Sequence, residues 1–529
     1  MALPSKNEDY ATARMTDEFS SDAASSLNAK QSNHADVRDM ARMGKPQEMQ
    51  RNFRFFTMFG FTAILTASWE GILSTAALGL GNGGSAGLLY TNLATWIGFI
   101  AVYASLGEQG SMAPTSGGQY HWVSEFAPRK YQKLLSYIVG WLGLLGWQVG
   151  VAFSAFLAGT QIQGLLVLNY EWYGYERWHG TLLMIAVLSF SVLCNIVLAQ
   201  KLHLVEGVAL TLHILGFFCV VIPVWALSEK APSKEVWTNF YDPGWGNQGL
   251  SCLIGIVASV APLLGADAAA HMAEELQDAA YVLPRIMVIG VVFNGLLMFI
   301  TCIMICYCIG DLETVVLTTP TGYPFIAIFY NATQSFAATN TLTAIIIILS
   351  MLSNITIMAG SSRQLFAFAR DGGVPFSRWV SHVSPRLEVP VNAILVICIV
   401  GIIISLINIG STVAFNVVTS LGTGTLTISY IVCLSCVVWR RLTGKPLLPS
   451  RFDMGKTLGL IVNLVALGWL WLVFVIAFFP GVPLPLLTTL SMNWSVLVFG
   501  VVAIFSGVYF AVWGRKSYAG PVEYVRKLD

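Results

Sequence analysis

Glu70 and Asp267 are carboxylates set inside apolar runs, each beside a helix breaker. Glu70 stands in Thr66-Ala67-Ser68-Trp69-Glu70-Gly71, and Asp267 closes Ala261-Pro262-Leu263-Leu264-Gly265-Ala266-Asp267. A charged side chain at the centre of a bilayer costs ~3 kcal/mol or more. Glu70 is therefore retained to bind a cation, to carry a proton, or to pair with a polar neighbour. Asp267 belongs to the same site or caps the half-helix that begins there. Trp69 offers a ring face to a cationic solute or is a packing residue. His213, midway along the fifth apolar run, is the side-chain type that titrates near neutral pH; it either exchanges protons or is a satisfied core histidine. Glu206, on the same run, is open in the same way. The candidate solute-binding set is Ser68, Trp69, Glu70, Gly71, Leu263, Leu264, Gly265 and Asp267. The proton-coupling candidates are Glu70, Glu206 and His213. Glu274, Glu275 and Asp278 end the sixth run and are expected to pair with Arg285 at an interface or an inner gate.

No comparable signal points to catalysis. H-E-x-x-H and G-x-S-x-G are absent. Gly79, Gly81 and Gly84 fit G-x-G-x-x-G but lie between two apolar runs rather than after a strand. Gly455-Lys456-Thr457 ends like a phosphate-binding loop, yet Ser450 stands where its first glycine is required. An enzyme, a nucleotide drive and a cofactor are not expected. The nine cysteines all fall in apolar runs; Cys302, Cys306 and Cys308 lack paired C-x-x-C spacing and have no histidine among them, so no metal is expected. A net charge of +1 gives no hint of a nucleic-acid partner. Asn331-Ala332-Thr333 is a glycosylation candidate, and a second sequon at Asn354 falls inside an apolar run.

The elements that must position these residues are membrane helices. Of 529 residues, 55% are hydrophobic and 11% charged, against about a quarter charged in soluble domains. The apolar residues gather in runs of about 20, the length that crosses a hydrocarbon core as helix. Twelve spans are predicted, near 55–79, 86–111, 134–166, 180–198, 204–228, 249–273, 285–309, 341–368, 391–409, 411–438, 457–479 and 493–513. The stretch 322–338 reads as a re-entrant or surface helix. Spans 1 and 6 carry the two interrupted segments. Such a pair at matching places in two five-helix halves marks an inverted-repeat transporter, because broken backbone is tolerated only where protein, solute or water satisfies it. Lys and Arg crowd one set of loops, which places both tails on the cytoplasmic side. Residues 1–50 read as a disordered cytoplasmic tail, 51–515 as the transmembrane domain and 516–529 as a second cytoplasmic tail.

Four stretches carry a family resemblance. They are Ser68-Trp69-Glu70-Gly71 with Asn82-Gly83-Gly84; Pro114 through Trp122, which resembles P-x-x-G-G-x-Y-x-W; Gly265 through Glu275 continuing to Pro284-Arg285; and Ser361-Ser362-Arg363-Gln364 with Phe368 through Gly373. Over roughly residues 50–515 the chain resembles the fungal amino acid/choline (GABA and choline permease) branch of the amino acid–polyamine–organocation superfamily. The resemblance implies an all-α membrane protein with ten core helices in two inverted five-helix repeats plus two C-terminal helices. It also implies a solute between broken helices 1 and 6, supported by helices 3 and 8, and use of the proton gradient. One departure is informative: many relatives have a small, Gly-rich triplet where this chain has Trp69-Glu70-Gly71, which favours a solute with a cationic head. The expected function is proton-coupled import of an amino acid, GABA or choline-like amine at the plasma membrane, by alternating access. An exporter of an amino-acid-like secondary metabolite and a non-transporting nutrient sensor of the same fold are the alternatives.

Overall fold

The computed structural model describes residues 34–310, 315, 319–489, 491–518 and 520–521, without the side chains of 412–419 and 485. Among these residues, eleven helices are long and apolar enough to cross a bilayer. The first, Phe55–Met112, is 58 residues long, about 87 Å of helix and too much for one crossing. It is interrupted at Ala67 and bends at Gly84 (φ 66°, ψ −168°), giving twelve spans in all. Span 1 is Phe55–Thr66 with the outer half that begins at Ser68, and span 2 follows Gly84. Spans 3, 4 and 5 are Arg129–Asn169, Arg177–Val197 and Leu202–Leu227. Span 6 is assembled from short pieces between Gln248 and His271. Spans 7 to 10 are Ala279–Cys308, Phe336–Arg370, Val391–Gly410 and Thr412–Leu442. Spans 11 and 12 are Lys456–Ile476 and the helix beginning at Ser495.

Spans 1 and 6 lie against each other in opposite directions. Ser68 Oγ donates to Pro262 O (2.8 Å), Thr75 Oγ1 to Ala258 O (2.8 Å), and Ser251 Oγ to Asn82 O, so numbers rise along one as they fall along the other. Spans 2 and 7 repeat the relation: Ser111 Oγ reaches Ala280 O (2.7 Å) and Trp96 Nε1 reaches Val291 O (3.1 Å). This is the geometry expected of two inverted repeats. The short helix Pro324–Thr333 spans about 15 Å, half of a hydrocarbon core, and does not cross.

Residues 34–50 correct the expectation of a disordered tail through residue 50; residues 1–33 lie outside the described residues. His34–Arg42 is a helix, and Met40, Met43, Met49 and Phe53 are buried. Asp36 accepts the backbone N–H groups of Asp278 (2.9 Å) and Ala279 (3.1 Å) at the start of span 7, satisfying donors that a helix leaves free at its N-terminus. Lys45 pairs with Asp371, and Arg51 reaches Ala273 O and Leu276 O. Polar residues that read as solvated are partners of helix ends on this face. The C-terminal end is also held, since Tyr518 bonds Ser136 (2.6 Å) and packs on Tyr137 and Phe368.

Candidate functional site

The break in span 1 is a single residue. Ala67 adopts the left-handed conformation (φ 40°, ψ 49°) while helical bonds continue on both sides, Ala67 N–H to Ala63 O and Gly71 N–H to Ala67 O. Ser68, Trp69 and Glu70 therefore form the first turn of the outer half-helix, one step beyond the interruption. The break in span 6 is longer. A tight turn over Ala261–Leu263 gives way to extended Leu264 and to Gly265 at φ 107°, and helix resumes at Ala268–His271. Gly71 permits the close crossing of the two spans, because a Cβ there would lie 3.0 Å from Pro262.

Between the breaks lies a cavity of about 930 Å³. Spans 1, 3, 6, 8 and 10 line it, notably through Glu70, Ser74, Trp147, Phe153, Gly265 and Ser353. It extends to Tyr175, Pro320, Tyr323 and Met492, in the loops on the side opposite to residues 34–54. Glu70 is 1% exposed, and its Oε1 lies 2.7 Å from His213 Nδ1 on span 5. Its Oε2 has no hydrogen-bond partner among the described residues. Trp69 turns away from the cavity, packs on Phe217, and directs its indole N–H to the same His213 Nδ1 at 3.2 Å. Glu70, Gly71, Leu264 and Gly265 line the cavity, whereas Ser68, Trp69, Leu263, Asp267, Glu206 and His213 stand behind it. The structure thus brings Glu70 and His213 together and leaves Glu206 apart, bonded by Thr356 Oγ1 at 2.9 and 3.2 Å. Asp267 sits in a cage, accepting from Gln119 Nε2 at 2.6 Å and from the Tyr430 hydroxyl. Asn331 is exposed near the end of the short helix that precedes span 8.

Three contributors carry little signal in one dimension. Trp147 and Phe153 give the cavity its aromatic wall, and Tyr103 holds the span-6 break. All three lie in apolar helices, where an aromatic residue reads as packing. The one available clue was Tyr103, since a mid-span tyrosine hydroxyl needs a partner when buried.

The face carrying residues 34–54 is closed by ion pairs. Arg370 makes a two-pronged contact with Glu274 (2.7 and 2.9 Å), Arg363 meets Glu275 (2.7 Å), Arg441 meets Glu108 (2.6 Å), and Arg451 meets Asp278. The expected partner Arg285 instead stacks on Tyr281. Burial pushes the Glu274 carboxyl up, but the Arg370 guanidinium outweighs it and holds the group below the usual carboxylate range. A depressed carboxylate contributes stability above its unfolded value and loses it only as pH falls through the folded one. This pair should therefore stay closed at neutral pH and open only under acid. Arg370→Ala leaves a buried charge unpaired, which costs about 3–5 kcal/mol. The expected result is a clearly lowered Tm for the purified protein, with Arg370→Lys in between because it loses the two-pronged contact. An unchanged Tm for the alanine variant would show that the pair does not hold this face shut.

Residues 53–504 match the amino acid permease family. The chain belongs to that family. It is a membrane transporter for amino acids or similar small solutes, in the fungal amino acid/choline permease branch of the superfamily. A Macrophomina phaseolina protein provisionally named an amino acid/polyamine transporter is 34% identical over 80% of this chain and 93% of its own length. The choline transporter of Saccharomyces cerevisiae is 29% identical over 89% of this chain and 83% of its own. Amino-acid permease 2 of Neurospora crassa is 27% identical over 95% and 92%. The permease family model reaches across both broken spans and the cavity between them.

Proposed function

We propose that this permease imports a small amine or amino acid together with protons, by alternating access between the open cavity and the closed face. The observation that carries the reading is Glu70. It is a buried carboxyl group on the cavity wall, paired on one side with His213 and, among the described residues, without a partner on the other. Such a group can neutralise an ammonium or trimethylammonium head and can also take up a proton. The names of the relatives, choline transporter and amino acid/polyamine transporter, fit a cationic solute. Aromatic Trp147 and Phe153 supply surfaces that attract such a head. The ion pairs of the opposite face would have to separate for release.

The test is uptake of labelled choline, GABA, and basic and neutral amino acids in a permease-deficient host. Uptake of at least one solute is expected to rise at acidic external pH and to collapse with a protonophore. Uptake that follows sodium and ignores the protonophore would overturn the coupling, and net efflux would make the chain an exporter. The crowding of Lys and Arg on the loops beside residues 34–54 supports cytoplasmic termini and places Asn331 on the opposite side of the membrane. Protease cleavage of a C-terminal tag on intact cells would reverse that orientation.

A further inference from the structure

Tyr103, on span 2, satisfies the broken backbone of span 6. Its hydroxyl donates to Leu263 O at 2.8 Å and accepts the N–H groups of Gly265 at 2.9 Å and Ala266 at 3.1 Å. A phenol has one hydrogen and two lone pairs, so its capacity is filled, and the residue is fully buried. Backbone donors at the start of a half-helix are the groups an anionic part of a solute would seek. In this chain a phenolic oxygen of the protein already holds two of them, the N–H of Gly265 at the cavity wall and that of Ala266 behind it. At the other break, the first turn of the outer half-helix carries Glu70, whose negative charge when ionised stands near the positive end of that half-helix. Among the described residues lining the cavity, Glu70 is the one acidic side chain, and no Lys, Arg or His joins it. Its unpartnered Oε2 is an acceptor that only a cation or a hydrogen-bond donor can satisfy.

We infer that Tyr103 determines specificity: by holding the backbone donors of span 6, it leaves the cavity to recognise a solute through its cationic head, so that a carboxylate on the solute weakens binding. This inference rests on the transport reading of the same cavity. It does not require Tyr103 to touch the solute, since the phenol acts by occupying the donors. The solute class is thus an organic monocation or diamine without an ionised acid group.

The experiment measures binding to purified wild-type protein and to Tyr103→Phe, which keeps the ring and removes the hydroxyl. The probes are matched pairs with and without a carboxylate: choline and glycine betaine, cadaverine and lysine, butylamine and GABA. In the wild type the carboxylate-free member of at least one pair is expected to bind about tenfold more tightly, a difference in the range that burying an acid group beside a fixed carboxylate produces. In Tyr103→Phe the gap should narrow severalfold, because Gly265 at the cavity wall regains a free donor. Equal or tighter binding of the acid in every pair overturns the inference, as does an absence of binding by all probes. A preference that Tyr103→Phe leaves unmoved overturns the assignment to Tyr103. If Tyr103→Phe fails to fold, Tyr103→Met, which also lacks the hydroxyl, takes its place in the same comparison. Binding is read without transport, so a protein that prefers the amines but moves none would sink the transport reading and not this one.

Discussion

Gly265→Leu is expected to reduce uptake to background while leaving folding and delivery to the membrane largely intact. Gly265 holds φ 107°, a region that residues with a Cβ rarely enter, and forcing one there costs of order 1–3 kcal/mol. A Cβ at this position would lie 3.3 Å from both Leu65 and Trp147. Both residues line the cavity, as Gly265 does, so a leucine side chain there would take up room in it. The substitution therefore acts twice, on the extended backbone that Tyr103 holds open and on the volume available to a solute. Gly265→Ala separates the effects: it keeps most of the backbone strain and adds little bulk, so it should retain part of the uptake. The measurement is initial uptake rate normalised to protein at the membrane. Wild-type uptake by the leucine variant would mean that the solute does not pass between the two breaks.

The spans were legible because each is an apolar run of bilayer length, and a run of that length has few other fates. The break in span 6 was legible in place, and the break in span 1 only to within its six-residue segment. Pro262 and Gly265 announce the interruption in span 6 by residue type, and the structure breaks there. In span 1 the glycine that draws attention, Gly71, serves close packing on Pro262, while the residue that kinks is Ala67, whose type gives no warning. Pairing of Glu70 with His213 joins residues 143 positions apart; each was a candidate alone, and only the packing of span 5 on span 1 makes them one site. Tyr103 is harder still, since its partners lie 160 or more residues away and its environment in sequence is uniformly apolar. The tail failed for a different reason. Asp36 and Lys45 are hydrophilic enough to be solvated, and composition cannot register that helix ends elsewhere offer them partners.

Glu70→Gln should divide binding from coupling, because the two carboxyl oxygens of Glu70 have different surroundings. Oε1 lies 2.7 Å from His213 Nδ1, which also receives the Trp69 indole N–H at 3.2 Å. An indole N–H can only donate, and a ring nitrogen either accepts or donates. If Nδ1 accepts from Trp69, the short contact to Oε1 closes with a proton on Glu70. If Nδ1 carries its own hydrogen toward a Glu70 carboxylate, Trp69 loses its acceptor. The triad therefore has two proton placements, and a proton arriving at Glu70 moves it from the second to the first when the Nδ1 hydrogen passes to the other ring nitrogen, Nε2, which has no partner among the described residues. Glutamine reproduces the first placement permanently, with its amide N–H directed at His213 Nδ1 and no charge. If Glu70 is the proton carrier, the variant should bind and exchange solute but lose accumulation driven by an acidic exterior. If Oε2 neutralises the cationic head, the variant should instead lose affinity, with a rise in KM of tenfold or more, about the 1.4 kcal/mol that removing a charged partner readily exceeds. Both effects together would assign both roles to one residue, with the solute and the proton competing for the same carboxylate in turn. Uptake kinetics, counterflow exchange and accumulation at two external pH values distinguish these outcomes. Wild-type affinity together with wild-type accumulation would leave Glu70 as a structural partner of His213 and nothing more.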